Sequence, residues 1–302
     1  MTSESAPATG SIEAVSVDEA ADVVEEIVED AASAPRERLL IALDIDGTIL
    51  LEDETYSPGV VDAVAEAQGL GHEVMLATGR SWEGTRHILE HLAITPEYVV
   101  CSNGAVILKR VGAADAGASY ERFHTEEFDA TEVLQLLRDH LPSARYMVEL
   151  PDGRRLYTDH MDEWNVSRAD RVPFEQLSAQ PVSRVVVVSE DDTDEDFVDL
   201  VSRIGLNEVS YAVGWSAWLD IAPQGIDKAT GLELVRDWLG IDAARVVVIG
   251  DGRNDIGMFR WARAHGGRAI AMGQGPDEVL SEASELTASV TEGGVTAVLK
   301  AL

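Results

Sequence analysis

Short apolar runs alternate with segments of helical periodicity over much of the chain. Four nearly continuous apolar runs have the length of strands that are buried on both faces of a parallel sheet: Leu39–Leu43, Val74–Ala77, Tyr98–Cys101 and Arg245–Ile249. Apolar residues recur at helical spacing in the segments between or after these runs: Pro58–Gln68, Trp82–Leu92, Lys228–Leu239 and Asp255–Ala264. This βαβ alternation predicts an α/β fold with a doubly wound parallel sheet.

The middle of the chain breaks this alternation. Its pattern predicts two strand pairs, two helices and one further strand, a mixture that is typical of a separate α+β module. The paired strands are Ala105–Arg110 with Tyr120–Phe123 and Arg145–Leu150 with Arg155–Tyr157, the helices cover Thr131–His140 and Asp194–Ile204, and the last strand covers Arg184–Ser189. We therefore expect a core domain made of residues 37–104 and 217–302, with an inserted α+β domain at 105–216.

The first 36 residues form an acidic leader. Residues 1–35 contain nine Asp or Glu residues and no Lys or Arg, a composition that is typical of disordered segments. Apolar residues recur at helical spacing between Val17 and Val28, and Ser16 with Glu19 fits a capping box. We interpret the leader as a solvated, disordered segment with a fraying helix. A helix that docks on a partner is the alternative.

Composition and charge narrow the class of protein. The 302-residue chain is 45% hydrophobic and 26% charged, and no stretch reaches the ~18 to 20 apolar residues that span a bilayer. The single cysteine, Cys101, excludes an internal disulfide, and the N-terminus lacks the pattern of a secretory signal, which predicts a cytoplasmic location. A net charge of −32 without a basic cluster argues against nucleic acid and membrane surfaces as partners. The sequence predicts no oligomeric state.

Two aspartates, Asp44 and Asp46, directly follow the first predicted strand. On a strand, positions i and i+2 point to the same face, so the two carboxylates are expected to lie close together. Two ionised carboxylates at short distance repel each other, unless a cation or several hydrogen-bond donors lie between them. The pair therefore predicts a metal site.

Other polar residues stand where ligands of open parallel sheets collect, at strand ends and helix starts. Thr78 and Gly79 follow the second predicted strand, where Thr78 alone could be an ordinary helix N-cap. Lys228 lies in the first turn of a predicted helix. A cation there opposes the helix dipole, so this lysine requires an anion nearby.

Three more polar residues, Asp251, Asn254 and Asp255, follow the apolar run Arg245–Ile249. The two aspartates could simply cap the following helix. If they converge with Asp44 and Asp46, however, the carboxylates repel strongly without a divalent ion, and hard oxygen ligands completed by water are typical of Mg²⁺. Together with a hydroxyl, backbone amides and a lysine for phosphate oxygens, the residues describe a phosphate site in which a carboxylate can be the nucleophile.

Four stretches, in this order and spacing, resemble the motifs of the haloacid-dehalogenase-like (HAD) phosphatases: "DIDGT", "ATGR", the lysine of "GIDKATGL", and "GDGRNDIGMF". The stretch "CSNGA" and the position of the insertion are similar to the Cof-type branch, whose α/β cap lies between the second and third motifs. The resemblance covers about Arg38 to Leu302. It implies a Rossmann-like HAD core, with residues 105–216 as the cap domain.

The resemblance also implies a role for each matching residue. It implies Asp44 as the nucleophile and Asp46 as the general acid/base, which protonates the leaving alkoxide and then activates water. It implies Mg²⁺ as cofactor, held by Asp44, the backbone carbonyl of Asp46 and Asp251, with Asp255 supporting the waters of the metal. The groups implied to contact phosphate are the Ile45 and Gly79 amides, Thr78, Lys228 and Asn254. Relatives usually have Asn followed by Ala where this chain has Gln274-Gly275, so the role of that loop stays open.

Three short patterns resemble other kinds of site. As a calcium loop, "DIDGT" would have Gly47 at the sixth position and Ala42, on a strand, at the first ligand position, so it fails. The glycines of "GDGRNDIG" are not spaced as in a dinucleotide-binding fingerprint, and acids occupy the turn. "HILEH", from His87 to His91, matches an inverted zinc-peptidase motif, but we favour a solvated helix face.

The predicted insertion has two further candidate features. Its aromatic residues could stack on a sugar, although an aromatic core of the module is the favoured use: Tyr146, Tyr157, Trp164, Tyr211, Trp215 and Trp218. Arg154 and Arg155, in "PDGRR", could reach a second anionic group of the substrate or belong to an exposed turn.

The function that fits these features is a Mg²⁺-dependent phosphatase of small phosphorylated metabolites, such as sugar phosphates, that works through an aspartyl phosphate. One alternative is a phosphosugar mutase of the same fold, which would return the phosphoryl group to sugar. The other is a non-catalytic regulator that binds a phosphorylated ligand, although the Asp44/Asp46 pair argues against a pure binder. The physiological substrate is not predicted.

Overall fold

The computed structural model describes residues 38–113, 118–159, 168–189, the backbone of 209–213, and 218–302. Every described residue belongs to one compact unit, Arg38–Leu302. The predicted leader and the predicted helix over Asp194–Ile204 lie outside the described residues. Within the described part, no helix is long and apolar enough to cross a bilayer.

The described part contains fourteen strands and seven α-helices. The strands are β1 (Leu40–Leu43), β2 (Glu73–Leu76), β3 (Tyr98–Cys101), β4 (Val106–Val111), β5 (Ser119–Thr125), β6 (Arg145–Glu149), β7 (Arg155–Tyr157), β8 (Ala169–Arg171), β9 (Arg184–Val188), β10 (Val209–Val213), β11 (Trp218–Pro223), β12 (Val246–Gly250), β13 (Arg268–Ala271) and β14 (Glu285–Leu286). The helices are α1 (Val60–Gly69), α2 (Trp82–Leu92), α3 (Thr131–His140), α4 (Lys228–Trp238), α5 (Ile256–Ala264), α6 (Asp277–Leu280) and α7 (Gly294–Leu299).

Five parallel strands form the main sheet, in the order β14-β13-β12-β1-β2. Helices cover both of its faces. Ile41 and Leu43 of β1 pack into a buried cluster with residues of α1, α2 and α7, whereas Leu40 and Ala42 pack with residues of α4 and α5. Alternate side chains of one strand are thus buried on opposite faces, which explains its continuous apolar run. The predicted doubly wound α/β fold is confirmed.

A second sheet of three strands, β3-β4-β5, continues this layer. A parallel bridge between Ala77 and Val100 places β3 beside the end of β2, and β4 pairs with both β3 and β5 in antiparallel fashion. The predicted pairing of the strands at Ala105–Arg110 and Tyr120–Phe123 is confirmed. Strand pairing joins these residues to β3, whereas the sequence grouped them with the insertion. We propose that the inserted module covers residues 126–223 instead of the predicted 105–216, because β11 (Trp218–Pro223) pairs with β9 and not with a strand of the main sheet.

The third sheet belongs to the inserted module and has the order β10-β11-β9-β6-β7-β8. Its pairs are antiparallel except β7 with β8. Tyr146, Val148 and Val185 alternate toward a buried cluster with α3. Met147 and Val186 form a second, smaller cluster on the other side of the same strands. The predicted pair across "PDG" and the predicted strand at Arg184–Ser189 are confirmed as β6, β7 and β9.

Candidate active site

The carboxyl ends of β12, β1, β2 and β3 lie side by side at one edge of the main sheet. Each of these ends carries a polar residue directly after the strand or its bridge: Asp251, Asp44, Thr78 and Ser102. Parallel strands bring residues that are far apart in sequence to the same edge, which is where ligands of such sheets bind. The candidate site lies at this edge.

Three buried aspartates meet there. One carboxylate oxygen from each of Asp44, Asp251 and Asp255 lies within 4.8 Å of the others. Among the described residues, this is the only group of three or more His, Cys, Asp or Glu side chains with a geometry suited to a metal. The predicted convergence of these three aspartates is therefore present, although they belong to segments that are distant in sequence.

Lys228 is the first residue of α4 and is fully buried. Asp227 caps the helix by accepting a hydrogen bond from the Thr230 amide. The Lys228 ammonium donates to Oδ1 of Asp44 at 2.5 Å and to Oδ1 of Asp255 at 2.6 Å. Burial alone lowers the pKa of Lys228, but the charges of Asp255 and Asp44 outweigh it and raise that pKa above its ordinary value. The anion that a lysine at a helix start requires is thus supplied by two carboxylates.

Hydrogen bonds to both carboxylate oxygens hold the Asp255 side chain in place. Oδ1 accepts from Lys228, and Oδ2 accepts from the backbone amides of Asp251 and Gly252, both at 2.9 Å. These bonds close the turn after β12 and orient the strand end that carries Asp251. Asp255 therefore helps to position the site as well as adding charge to it.

The side chain of Gln274 holds Asp251 in place. Its Nε2 donates to Oδ2 of Asp251 at 3.2 Å and to the Gly47 carbonyl at 2.6 Å, while its Oε1 accepts from the Val290 amide at 3.0 Å. Gly47 has a φ of +71°, and a Cβ there would lie 2.0 Å from Oδ2 of Asp251. The loop that the sequence left open thus contacts the acidic cluster directly, and glycine is required opposite it.

The charge of the cluster is not balanced by the protein. Burial raises the pKa of Asp44 well above its usual range, with Lys228 opposing and Asp255 and Asp251 adding to the rise. Burial and then the charge of Asp255 raise the pKa of Asp251 to about 7, against hydrogen bonds from Gln274 and Thr48. A divalent cation would reduce this repulsion, and hard carboxylate oxygens are ligands that suit Mg²⁺. The residues present therefore fit the predicted cofactor.

Asp46 does not share a face with Asp44, because β1 ends at Leu43 and the chain then turns. Its carboxylate instead forms a two-point ion pair with Arg80, with distances of 3.0 Å from Nε to Oδ2 and 2.5 Å from Nη2 to Oδ1. The Asp46 side chain is 53% exposed. The prediction that Asp46 shares a face with Asp44 is thus wrong, because Asp46 lies outside the acidic cluster and its side chain is exposed.

The other residues predicted to contact phosphate lie at the same strand ends or in the turns that follow them. Thr78 is buried and its hydroxyl accepts from the Arg80 amide at 3.0 Å, so the hydroxyl proton can still be donated. The Ile45 side chain belongs to the hydrophobic core, so only its backbone can serve a ligand. Nδ2 of Asn254 donates to Oδ1 of Asn103 at 3.1 Å, and a Cβ on Gly79 would lie 3.2 Å from the Asn103 side chain. Asn103, which the sequence analysis did not single out, thus lies between two predicted phosphate contacts.

The other candidate sites are not supported in the described part of the chain. The ring of His91 stacks on Tyr56 with 3.9 Å between centroids, and neither it nor His87 joins a group of metal-binding geometry among the described side chains. His87 and His91 are both exposed on α2, as the favoured interpretation of "HILEH" predicts. One residue of "DIDGT", Asp44, and two of "GDGRNDIG", Asp251 and Asp255, belong to the acidic cluster.

The aromatic residues and arginines that were candidates for substrate contact lie in different environments in the insertion. Tyr146 lies in the module core and meets Phe174 edge-on, as favoured, whereas Tyr157 and Trp218 pack on the other face of the sheet. Arg154 is exposed and pairs with Asp152 in the turn. Arg155 is buried. Trp164, Trp215 and the Tyr211 side chain lie outside the described part.

The proteins to which this chain is similar in sequence and fold agree with the geometry of the candidate active site. The family model described as haloacid dehalogenase-like hydrolase matches residues 41–299. The chain is 27% identical over 270 residues to the 5-amino-6-(5-phospho-D-ribitylamino)uracil phosphatase YitU of Bacillus subtilis, covering 86% of this chain and 96% of that protein. It is 26% identical over 260 residues to the pyridoxal phosphate phosphatase YbhA of Escherichia coli, covering 81% and 91%. The solved HAD subclass IIB sugar phosphatase BT4131 has the same fold, with a TM-score of 0.69 at 19% identity over 87% of this chain and 98% of that one.

Proposed function

Since the chain belongs to the haloacid dehalogenase-like hydrolase family and is a phosphatase of that family, we propose that it hydrolyses small phosphorylated metabolites through an aspartyl phosphate on Asp44. The observation that carries this proposal is the environment of Asp44. Its carboxylate is buried beside Asp251, and Lys228 holds one of its oxygens. A buried carboxylate with one oxygen fixed and one remaining is suited to attack on phosphorus.

We propose Mg²⁺ as the cofactor, with Asp44, the Asp46 carbonyl and Asp251 as its ligands and Asp255 as support. The acidic cluster supports this assignment, because its carboxylates repel each other and its donors are hard oxygens. When bound, Mg²⁺ supplies positive charge that offsets the carboxylates and the phosphate oxygens. The amides of Ile45 and Gly79 and the side chains of Thr78, Lys228 and Asn254 would bind the phosphate.

The reaction has two steps that this chain's residues can perform. In the first, an Asp44 oxygen attacks phosphorus, the bond to the leaving oxygen breaks, and Asp46 gives that oxygen a proton. In the second, Asp46 takes a proton from water, which attacks phosphorus, so that inorganic phosphate leaves and Asp44 is restored. The exposed position of the Asp46 side chain supports this role, because a general acid must reach the leaving group rather than the buried cluster.

The named activities of the relatives support the proposed substrate class. They concern a ribitylaminouracil phosphate, pyridoxal phosphate and, for the solved structure, sugar phosphates, all of them small phosphorylated molecules. A cytoplasmic location and the lack of nucleic-acid partners stay predictions.

We expect phosphate release from several members of a metabolite panel that includes sugar phosphates and pyridoxal phosphate, and we expect it only with Mg²⁺. Chelator should stop the reaction and excess Mg²⁺ should restore it, because the three buried carboxylates repel each other without a cation. Colorimetric phosphate release measures this directly. Full turnover in chelator would refute the metal assignment, and isomer formation without phosphate release would identify a mutase instead.

Replacing Gln274 with alanine should weaken Mg²⁺ binding by about 10- to 100-fold, because such substitutions release a metal-binding carboxylate from its orienting partner. The variant loses the hydrogen bonds to Asp251 and to the Gly47 carbonyl. Isothermal titration calorimetry with Mg²⁺ measures the affinity without need of a substrate.

The matched control is Gln135→Ala, since Gln135 is exposed on α3 in the inserted module. Its Mg²⁺ affinity should equal that of the unaltered protein. A folded Gln274→Ala variant with unchanged Mg²⁺ affinity would show that the loop contact does not orient Asp251.

A further inference from the structure

We infer that Asn103, Asp220 and Arg184 form a hydrogen-bonded chain that sets the amide orientation of Asn254, and so positions the phosphate donor of the site. This inference rests on the proposed function, which gives Asn254 its phosphate. It assigns positioning roles to three residues outside the four motifs, two of which lie in the inserted module. The stretch "CSNGA", so far only a mark of resemblance, thereby gains a physical role.

The contacts run without a gap from the module to the site. Arg184 donates from Nε to Oδ1 of Asp220 at 2.7 Å and from Nη2 to Oδ2 at 2.8 Å. Asn103 donates from Nδ2 to Oδ2 of Asp220 at 3.0 Å, and Asn254 donates from Nδ2 to Oδ1 of Asn103 at 3.1 Å. Arg184, Asp220 and Asn103 are each less than 10% exposed, so water competes little with these bonds.

The Arg184–Asp220 ion pair determines which group is the donor and which is the acceptor in each following hydrogen bond. A carboxylate that is paired with a guanidinium can only accept hydrogen bonds. Asn103 must therefore offer its NH₂ group to Asp220, which turns its carbonyl oxygen toward Asn254. Asn254 in turn must offer its NH₂ group to that oxygen. One N–H of Asn254 is used by Asn103, and the second is left for a phosphate oxygen.

The backbone holds Asn103 in place independently of its side chain. Ser102 and Asn103 have φ values of +51° and +50°, in the left-handed region where asparagine is tolerated better than most residues. The Asn103 amide donates to the Thr78 carbonyl at 3.0 Å, and the Ser102 amide donates to the Arg80 carbonyl at 2.9 Å. Such strained turns are found at functional sites, and this one is tied to the turn that carries Thr78 and Gly79.

A purely structural role explains the buried pair less well. Buried ion pairs contribute little to stability on balance, because desolvation offsets their attraction. Arg184 on β9 and Asp220 on β11 could be replaced by apolar residues like their neighbours if packing were the only need. An apolar pair would lack a hydrogen-bond acceptor for the Asn103 NH₂ group, and this acceptor sets the orientation of the Asn103 amide.

A double-mutant cycle on the binding of inorganic phosphate tests the inference. We expect Asn103→Ala to weaken phosphate binding, measured by calorimetry in Mg²⁺, by about tenfold or more, with Mg²⁺ affinity unchanged. If Asn103 acts through Asn254, then adding Asn103→Ala to Asn254→Ala should cause little further loss. Independent effects that multiply in the double variant would overturn the inference.

Asp220→Asn is the second variant, because it keeps the shape of the side chain and removes only the acceptor-only carboxylate. It should weaken phosphate binding in the same direction. Its matched control, Asp170→Asn on the exposed strand β8, should leave phosphate binding unchanged. An Asp220→Asn variant that binds phosphate like the unaltered protein would also overturn the inference.

The two proposals fail in different ways. If the unaltered protein binds no phosphate in Mg²⁺ and releases none from the panel, then the proposed function falls, and the inference with it. If the unaltered protein binds and releases phosphate but the cycle is additive, only the inference falls.

Discussion

Asp44→Asn is expected to abolish phosphate release, with a fall of at least about 10⁴-fold, since the substitution removes the proposed nucleophile. It also removes one proposed metal ligand and one partner of Lys228. After mixing with an ester that has a good leaving group, intact-mass measurement should find no phosphoryl adduct on this variant.

Asp46→Asn is the matched comparison, because it keeps the nucleophile and, through its backbone carbonyl, the proposed metal contact. It loses proton transfer, which is typically worth ~10²- to 10⁴-fold. An ester whose leaving group needs little protonation should still phosphorylate this variant. Because water activation is also impaired, the adduct should hydrolyse slowly and be visible by mass.

The two variants together decide the mechanism. An adduct on Asp44→Asn, or one mapped to a serine or histidine, would contradict the aspartyl-phosphate proposal and leave the fold untouched. Equal loss of the adduct in both variants would contradict the separate role given to Asp46.

Lys228→Met is expected to lower the free energy of unfolding by about 3–5 kcal/mol in chelator at neutral pH, because the substitution leaves buried carboxylates without their cation. Lys228 is fully buried and pairs with Asp44 and Asp255. Mg²⁺ should recover part of this stability by supplying positive charge to the same carboxylates. Denaturant unfolding with and without Mg²⁺ measures both effects.

Lys300→Met is the matched control, since Lys300 is exposed near the C-terminus and its replacement should change stability by less than about 0.5 kcal/mol. A Lys228→Met variant as stable as this control would show that the carboxylates are not destabilised by losing the ammonium.

The sequence predicts β1, β2 and β12 of the main sheet, because strands that are buried on both faces have a nearly continuous apolar run. The edge strands β13 and β14 were not predicted. Trp82–Leu92 and Tyr98–Cys101 have the predicted bounds. The β4–β5 hairpin was assigned to the insertion, because its sequence alternates like any antiparallel pair. Only its pairing with β3, through a turn of left-handed residues, joins it to the core sheet.

The position of a site residue could be predicted where the residue directly follows a strand. It could not be predicted where it depends on a contact between side chains. Asp44 and Asp251 converge because β1 and β12 are parallel neighbours. Asp46 lies past the end of its strand, so alternation no longer governs it. A hydrogen bond between side chains joins Asn103 to Asp220, which are 117 positions apart. No local sequence pattern predicts such a contact.

The position of β1 between β2 and β12 has a consequence for how the enzyme is made. Thr48, in the turn after β1, bonds to Asp251, which lies 203 positions later, and the whole inserted module is synthesised between them. Closing so long a loop is slow, and contacts of high sequence separation form late. During synthesis, Asp44 is therefore made before Lys228 and before strands β12, β13 and β14 of its sheet. A chain that ends before β12 contains Asp44, the proposed nucleophile, but lacks Asp251 and Asp255 of the acidic cluster.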